Sequence, residues 1–140
     1  MLNLTRSQKI RRTMVALAVA VLPASALMAS CAPTPPPCPG LNDGGWTGTW
    51  DSTVFPTAGG YITAVTSTSG SAVTGTVQLQ GSVLTDPMPI DGTVACDRVE
   101  VTTPYGITLT GRISADGESV SGTYESTSPS DTGSFTITAD

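Results

Sequence analysis

The chain has 140 residues, 39% of them hydrophobic, and a formal net charge of −5. Four of its six basic residues lie in the first twelve positions, so the part from Cys31 onward has two arginines, eleven carboxylates and a net charge of −9. Because binding to phosphate backbones needs clustered lysine and arginine, nucleic acid is excluded as an expected partner. The same acidic surface would be repelled by anionic lipid, so membrane contact would require an anchor.

The first thirty residues have the parts of a secretion signal. Basic residues at positions 6–12 are followed by an apolar run over 14–22, which is shorter than the roughly 20 residues of a membrane-spanning helix. An amphipathic or core helix at the N-terminus is disfavoured because the run has no polar face. We therefore expect residues 1–30 to be a removed signal peptide. Paired Arg11 and Arg12 leave the export route open between the general secretory pathway, which we favour, and the twin-arginine pathway.

Residues 28–31, Met-Ala-Ser-Cys, resemble the lipobox of bacterial lipoproteins. The resemblance implies cleavage before Cys31, lipid attachment to Cys31, and a protein anchored to the bacterial cell membrane or outer membrane, facing outside the cytoplasm. Acyl chains stabilise membrane attachment by about 0.8 kcal/mol per buried methylene. The alternative is an ordinary signal peptidase cutting after residues 24–26.

A proline-rich linker, residues 31–44, joins the signal to the rest of the chain. Such a segment is extended and semi-rigid. If Cys31 is acylated, Cys38 and Cys96 remain, and in an oxidising compartment we expect them to form a disulfide. Two free thiols are the alternative. A catalytic thiol is disfavoured because the chain contains no histidine to act as its base.

A short motif then repeats: apolar, any residue, glycine, any residue, apolar. The copies are WTGTW (46–50), VTGTV (73–77), IDGTV (90–94), LTGRI (109–113), VSGTY (120–124) and, more weakly, DTGSF (131–135). In a strand, alternate residues share a face, so the apolar residues and the glycine should face inward. One buried and one wet face predict antiparallel strands, with inward glycines that let the strands coil and leave room for large neighbours.

Residues 45–140 are therefore predicted to form an all-β domain with eight strands. The predicted strands are 45–52, 60–67, 72–80, 89–95, 98–103, 107–113, 119–126 and 133–139. Closure into an eight-stranded antiparallel up-and-down barrel would remove the exposed edges. A two-sheet β-sandwich is the alternative.

The WTGTW first strand resembles those of avidin and lipocalin barrels, and the strings at 109–112 and 122–126 are similar to avidin sequences. The whole chain is most similar to small bacterial lipoproteins and secreted domains with WTGTW and repeated xTGTx strands, a resemblance that implies no activity. Because no tryptophan follows Trp50, biotin binding is not expected. Trp46 and Trp50 are interpreted first as core residues. As ligand contacts they would face an inner cavity with Tyr61 or Tyr124.

No catalytic or metal-binding arrangement is visible, so we expect neither an enzyme nor a cofactor. The acidic pairs Asp97/Glu100 and Asp116/Glu118 could act as a glycosidase pair, but they lie at or beside predicted turns, where acidic side chains are usually solvated. Turn chemistry also accounts for NDGG (42–45) and SPSDTG (128–133), which lack the ligand spacing of a calcium loop. The expected function is a binding or structural module for another envelope component. Alternatives are a lipocalin-like carrier of a small apolar ligand, or an inhibitor of secreted hydrolases presenting residues 53–60 or 86–89.

Overall fold

Eight strands account for most of the chain after residue 43 in the computed structural model, which describes residues 33–140. They are β1 Gly44–Ser52, β2 Gly59–Ser69, β3 Ala72–Leu79, β4 Met88–Ala95, β5 Arg98–Thr102, β6 Ile107–Ile113, β7 Ser119–Thr127 and β8 Ser130–Ala139. All eight predicted strands are confirmed. The predicted signal peptide, residues 1–30, and the predicted lipid attachment site, Cys31, lie outside the described residues.

The strands form a closed antiparallel barrel in which each strand pairs with the next and β8 returns to β1. The closing ladder runs from Trp46 opposite Ala139 to Ser52 opposite Gly133. The predicted barrel is thus confirmed and the two-sheet sandwich is wrong. Strand β8 begins three residues earlier than predicted because the β7–β8 ladder continues to the pair Thr127–Ser130.

The inward face of the barrel is filled with apolar side chains. Along β1, buried Trp46 and Trp50 alternate with exposed Thr47 and Thr49, as the motif predicted. A cavity of about 40 Å³ remains inside, and its lining is almost wholly apolar. The buried hydrophobic residues are Trp46, Trp50, Ile62, Ala64, Val73, Val77, Leu79, Met88, Ile90, Val99, Val101, Ile107, Leu109, Ile113, Val120, Tyr124, Phe135 and Ile137.

The repeat glycines allow neighbouring strands to approach closely. A Cβ atom on Gly48 would lie 1.9 Å from the carbonyl oxygen of Thr136, and one on Gly122 would lie 2.0 Å from that of Thr110. At Gly111 the space is taken by side chains instead, since a Cβ would lie 2.6 Å from Val120. Gly111 therefore leaves room for neighbouring side chains, as predicted, whereas Gly48 and Gly122 permit close approach of the adjacent backbone.

The two ends of the barrel differ. At the disulfide end, which carries the turns 70–71, 96–97 and 114–118, Cys38 is bonded to Cys96 as predicted, with their Cα atoms 4.6 Å apart. Leu41 packs against the core from this side. The open end carries the connections 53–58, 80–87, 103–106 and 128–129.

The unit Pro36–Asp140 contains the eight strands, the buried core and the disulfide. The barrel therefore closes without any residue before Pro36. Within residues 33–140 there is no helix that could span a membrane.

Candidate functional site

Trp46 closes the core at the disulfide end. Only 1% of its surface is exposed, and its Nε1 donates a hydrogen bond to Thr66 Oγ1 at 2.9 Å. The Thr66 hydroxyl in turn donates to the carbonyl oxygen of Asn42 at 2.9 Å, and Asn42 Nδ2 donates to the carbonyl oxygen of Gly117 at 3.0 Å. This chain of bonds ties Asn42, which precedes β1, to the barrel. Because Trp46 is buried and its indole nitrogen has a partner within the protein, it is a packing residue.

A cleft of about 300 Å³ opens at the other end of the barrel. Buried strand residues form its floor, and residues of the open-end connections form its walls. The lining residues are Trp50, Phe55, Ala58, Leu79, Gly81, Ser82, Val83, Leu84, Ile107, Tyr124, Ser126, Pro129 and Asp131. Most of this surface is apolar, and Asp131 is the one residue of the lining with a charged side chain.

Trp50 and Tyr124 form an aromatic pair in the floor of the cleft. Their ring centroids are 5.8 Å apart and the ring planes meet at 78°, an edge-to-face arrangement. Trp50 Nε1 donates to the carbonyl oxygen of Gln80 at 3.0 Å, which satisfies its polar atom. Both rings are therefore held in place before any ligand binds.

Asp131 is the centre of a hydrogen-bond network at the edge of the cleft. Its Oδ2 accepts a bond from the Tyr124 hydroxyl at 2.8 Å, and its Oδ1 accepts one from Ser52 Oγ at 2.5 Å. Ser52 Oγ also accepts bonds from the backbone amides of Val54 and Phe55 at 3.2 and 2.9 Å. The network therefore joins β8 and β7 to the loop that carries Phe55.

Burial and the hydrogen bond to Asp131 raise the pKa of Tyr124 to about 12. Both effects favour the protonated phenol, because they disfavour a second negative charge beside the carboxylate. At neutral pH Tyr124 is therefore a neutral hydrogen-bond donor.

The open end also exposes apolar side chains around the cleft. Among the described residues, six large hydrophobic side chains are exposed, and four of these, Val54, Phe55, Val83 and Tyr105, belong to open-end connections. Val83 is 84% exposed. Four of the six exposed hydrophobic side chains therefore lie at the end of the barrel that carries the cleft.

The structure separates the four residues predicted to contact a ligand. Trp50 and Tyr124 lie together in the cleft, whereas Trp46 is buried at the disulfide end. Tyr61 is 66% exposed on the outer face of β2, opposite Thr49 in the ladder.

Asp131 is the site residue that sequence analysis missed, since SPSDTG was interpreted as a turn. A signal was present: Asp131 occupies the first position of the sixth motif copy, where the other copies have an apolar residue. Because alternate residues of a strand share a face, Asp131 lies on the same inward face of β8 as Gly133 and Phe135.

No model of a protein family matches the chain, and no curated protein matches it. Among residues 33–140, no group of three histidine, cysteine or acidic side chains could hold a metal ion.

Proposed function

We propose that the protein is an exported, lipid-anchored module of a bacterial cell envelope that binds a small, largely apolar molecule in the open-end cleft, without catalysis. The observation that carries this proposal is the cleft itself. Small-molecule sites usually have volumes of about 300–1,000 Å³, apolar walls and a few converging polar groups. The cleft, with its volume of about 300 Å³, its aromatic floor and Asp131, fits the lower end of that range.

The ligand would bind at the mouth of the barrel rather than deep inside it. The inner cavity of about 40 Å³ has room for little more than a water molecule or two. A lipocalin-like carrier that encloses its ligand needs several hundred Å³. The carrier function is therefore supported only in a form that uses the cleft.

The position of the disulfide supports an anchor on the far side from the cleft. Cys31 precedes Cys38 by seven residues, and Cys38 is bonded to the end of the barrel opposite the cleft. Acylation of Cys31 would therefore attach the disulfide end to the membrane. The cleft would then face away from the lipid and be accessible to molecules in the surrounding space.

Metabolic labelling with palmitate tests the anchor. The wild-type protein should incorporate label and fractionate with membranes, whereas the Cys31→Ser variant should do neither. Equal labelling of the two proteins would overturn the anchor but would leave the binding site untouched.

Variants with a single tryptophan test the binding site, because Trp50 lies in the cleft and Trp46 at the opposite end. In the unit Pro36–Asp140, n-hexanol should change the fluorescence of the Trp46→Phe variant, whose remaining reporter is Trp50. The Trp50→Phe variant, whose reporter is Trp46, should respond little. A fluorescence response of Trp46 alone would refute binding in the cleft. The absence of a saturable response of Trp50 to n-hexanol, hexylammonium and hexanoate would refute it as well.

Inhibition of a secreted hydrolase is the second candidate function. Both segments predicted for that role, 53–60 and 86–89, lie at the open end, and the first exposes Val54 and Phe55. The protein should then slow a protease or lysozyme from a panel of secreted enzymes and remain intact. The variant Phe55→Ser should lose the effect and the outer-wall variant Tyr61→Ser should keep it. No inhibition across the panel would remove this candidate.

A further inference from the structure

We propose that the open-end cleft selects molecules that combine an apolar body with a positively charged ammonium group, and that Asp131 binds that group. This inference depends on the proposed function, since it specifies the class of ligand for the same site. It is carried by the charge of the cleft, the free acceptor positions on Asp131 and the aromatic rings beside it.

The cleft has a single negative charge and no positive one. Asp131 is the charged residue of its lining, and no lysine is present in residues 33–140. The two arginines of the same part of the chain, Arg98 and Arg112, belong to the ends of β5 and β6 that lie at the disulfide end. A ligand carboxylate or phosphate in the cleft would therefore meet a like charge without any compensating cation.

Asp131 retains acceptor positions for a ligand. An ionised carboxylate has about four lone-pair positions, and two of these take the hydroxyl protons of Tyr124 and Ser52. Those two bonds fix the orientation of the carboxylate, which is half-buried at the cleft. An ammonium group has three donors and no acceptor, so it matches the remaining positions, whereas a neutral hydroxyl would form a weaker bond.

The aromatic floor favours the same ligand chemistry. Trp50 and Tyr124 border the cleft together with Asp131. Indole and phenol rings attract a cation that lies over the ring face, within about 6 Å of the ring centroid. Asp51, the neighbour of Trp50 on the outer face of β1, adds a negative charge near enough to contribute to the raised pKa of Tyr124. An ammonium group over either ring face would thus be favoured in addition to its bond with Asp131.

Three probes of similar size test the inference: hexylammonium, n-hexanol and hexanoate. Their affinities for the unit Pro36–Asp140 are measured from the fluorescence of Trp50 in the Trp46→Phe background. Hexylammonium should bind about tenfold more tightly than n-hexanol, as expected for one charge-assisted hydrogen bond, and hexanoate should bind most weakly. Asp131→Asn should abolish the preference for hexylammonium over n-hexanol, and Asp91→Asn, on the outer face of β4 and outside the cleft lining, should keep it.

The outcomes separate the two proposals. If n-hexanol and hexylammonium bind equally well, the ammonium inference is overturned and the apolar site stands. If none of the probes binds, both proposals fall. If Asp131→Asn loses n-hexanol binding as well, the variant no longer separates the charge from the shape of the site. The position of the ligand nitrogen is then determined by NMR of the wild-type complex with hexylammonium. Nuclear Overhauser contacts between the methylene next to the ligand nitrogen and the Tyr124 ring are expected, and contacts from the terminal methyl alone would overturn the inference.

Discussion

Trp46 and Trp50 face the same side of β1, yet their indole nitrogens bond to opposite ends of the barrel. Trp46 donates to Thr66 Oγ1 and Trp50 donates to the carbonyl oxygen of Gln80. Four residues of extended strand separate them by about 13 Å. One tryptophan therefore closes the disulfide end, and the other forms part of the floor of the open-end cleft.

The Trp46–Thr66 bond should contribute measurably to stability. Thr66→Val keeps the shape of the side chain but removes the acceptor for Trp46 and the donor to Asn42. Because the Trp46 N–H would then be buried without a partner, the free energy of unfolding should fall by about 1–3 kcal/mol. Urea denaturation followed by circular dichroism measures the change.

Thr76→Val is the matched control for this substitution. Thr76 is exposed on the outer face of β3, so its replacement should change the free energy of unfolding by no more than about 0.5 kcal/mol. Equal changes in the free energy of unfolding for Thr66→Val and Thr76→Val would show that the buried bond does not stabilise the fold.

The sequence predicted the barrel well because its pattern is local and repeated. Within each copy of the motif, apolar residues and glycine alternate with polar residues, and this alternation specifies which residues face inward. The glycine at the centre of the copy explains the close strand approach at Gly48 and Gly122. The disulfide was predicted because Cys38 and Cys96 remain if Cys31 is the predicted site of lipid attachment.

The composition of the cleft could not be predicted in the same way. In β2, both alternating sets of residues contain apolar side chains, so the sequence does not tell whether Tyr61 or Ile62 faces inward. The register decides: Tyr61 lies opposite Thr49, and opposite residues share a face. The meeting of Trp50, Tyr124 and Asp131 likewise depends on the closure of β8 against β1, which brings together residues about 80 positions apart.

The Cys38–Cys96 disulfide should stabilise the barrel against unfolding. It joins residues 58 positions apart, and the chain-entropy model assigns a loop of this length about 4 kcal/mol. The double variant Cys38→Ser/Cys96→Ser should therefore unfold at a clearly lower urea concentration than the oxidised wild type. Dithiothreitol should lower the midpoint of the wild type and leave that of the double variant unchanged. A wild-type midpoint that does not respond to complete reduction would contradict the prediction.

Gly122→Ala should be among the most damaging single-methyl additions in the barrel. The new Cβ would lie 2.0 Å from the carbonyl oxygen of Thr110 and 2.6 Å from the Cα of Gly111, so the backbone of β6 would have to move. We expect the free energy of unfolding to fall by about 3 kcal/mol or more.

Gly70→Ala provides the comparison for this change. Gly70 has a φ of 62°, but a Cβ there would meet nothing within 4 Å, so only the cost of the left-handed backbone applies, about 1 kcal/mol. Thermal or urea unfolding of both variants measures the difference. If Gly70→Ala were as destabilising as Gly122→Ala, close strand approach would not be the reason for the motif glycine.

The pKa of Tyr124 makes stability depend on alkaline pH. The pKa is about 12 in the folded protein, because of burial and the hydrogen bond to Asp131, and about 10 for tyrosine in an unfolded chain. Between these values the folded state retains a proton that the unfolded state has lost, so the free energy of unfolding declines as the pH rises from about 10 to about 12. Below about pH 10 this stabilisation is fully present.

Tyr124→Phe should remove this part of the decline in the free energy of unfolding, whereas Tyr61→Phe, which leaves Tyr124 and Asp131 in place, should keep it. Urea unfolding across this pH range measures the three proteins, and parallel curves for wild type and Tyr124→Phe would contradict the assignment.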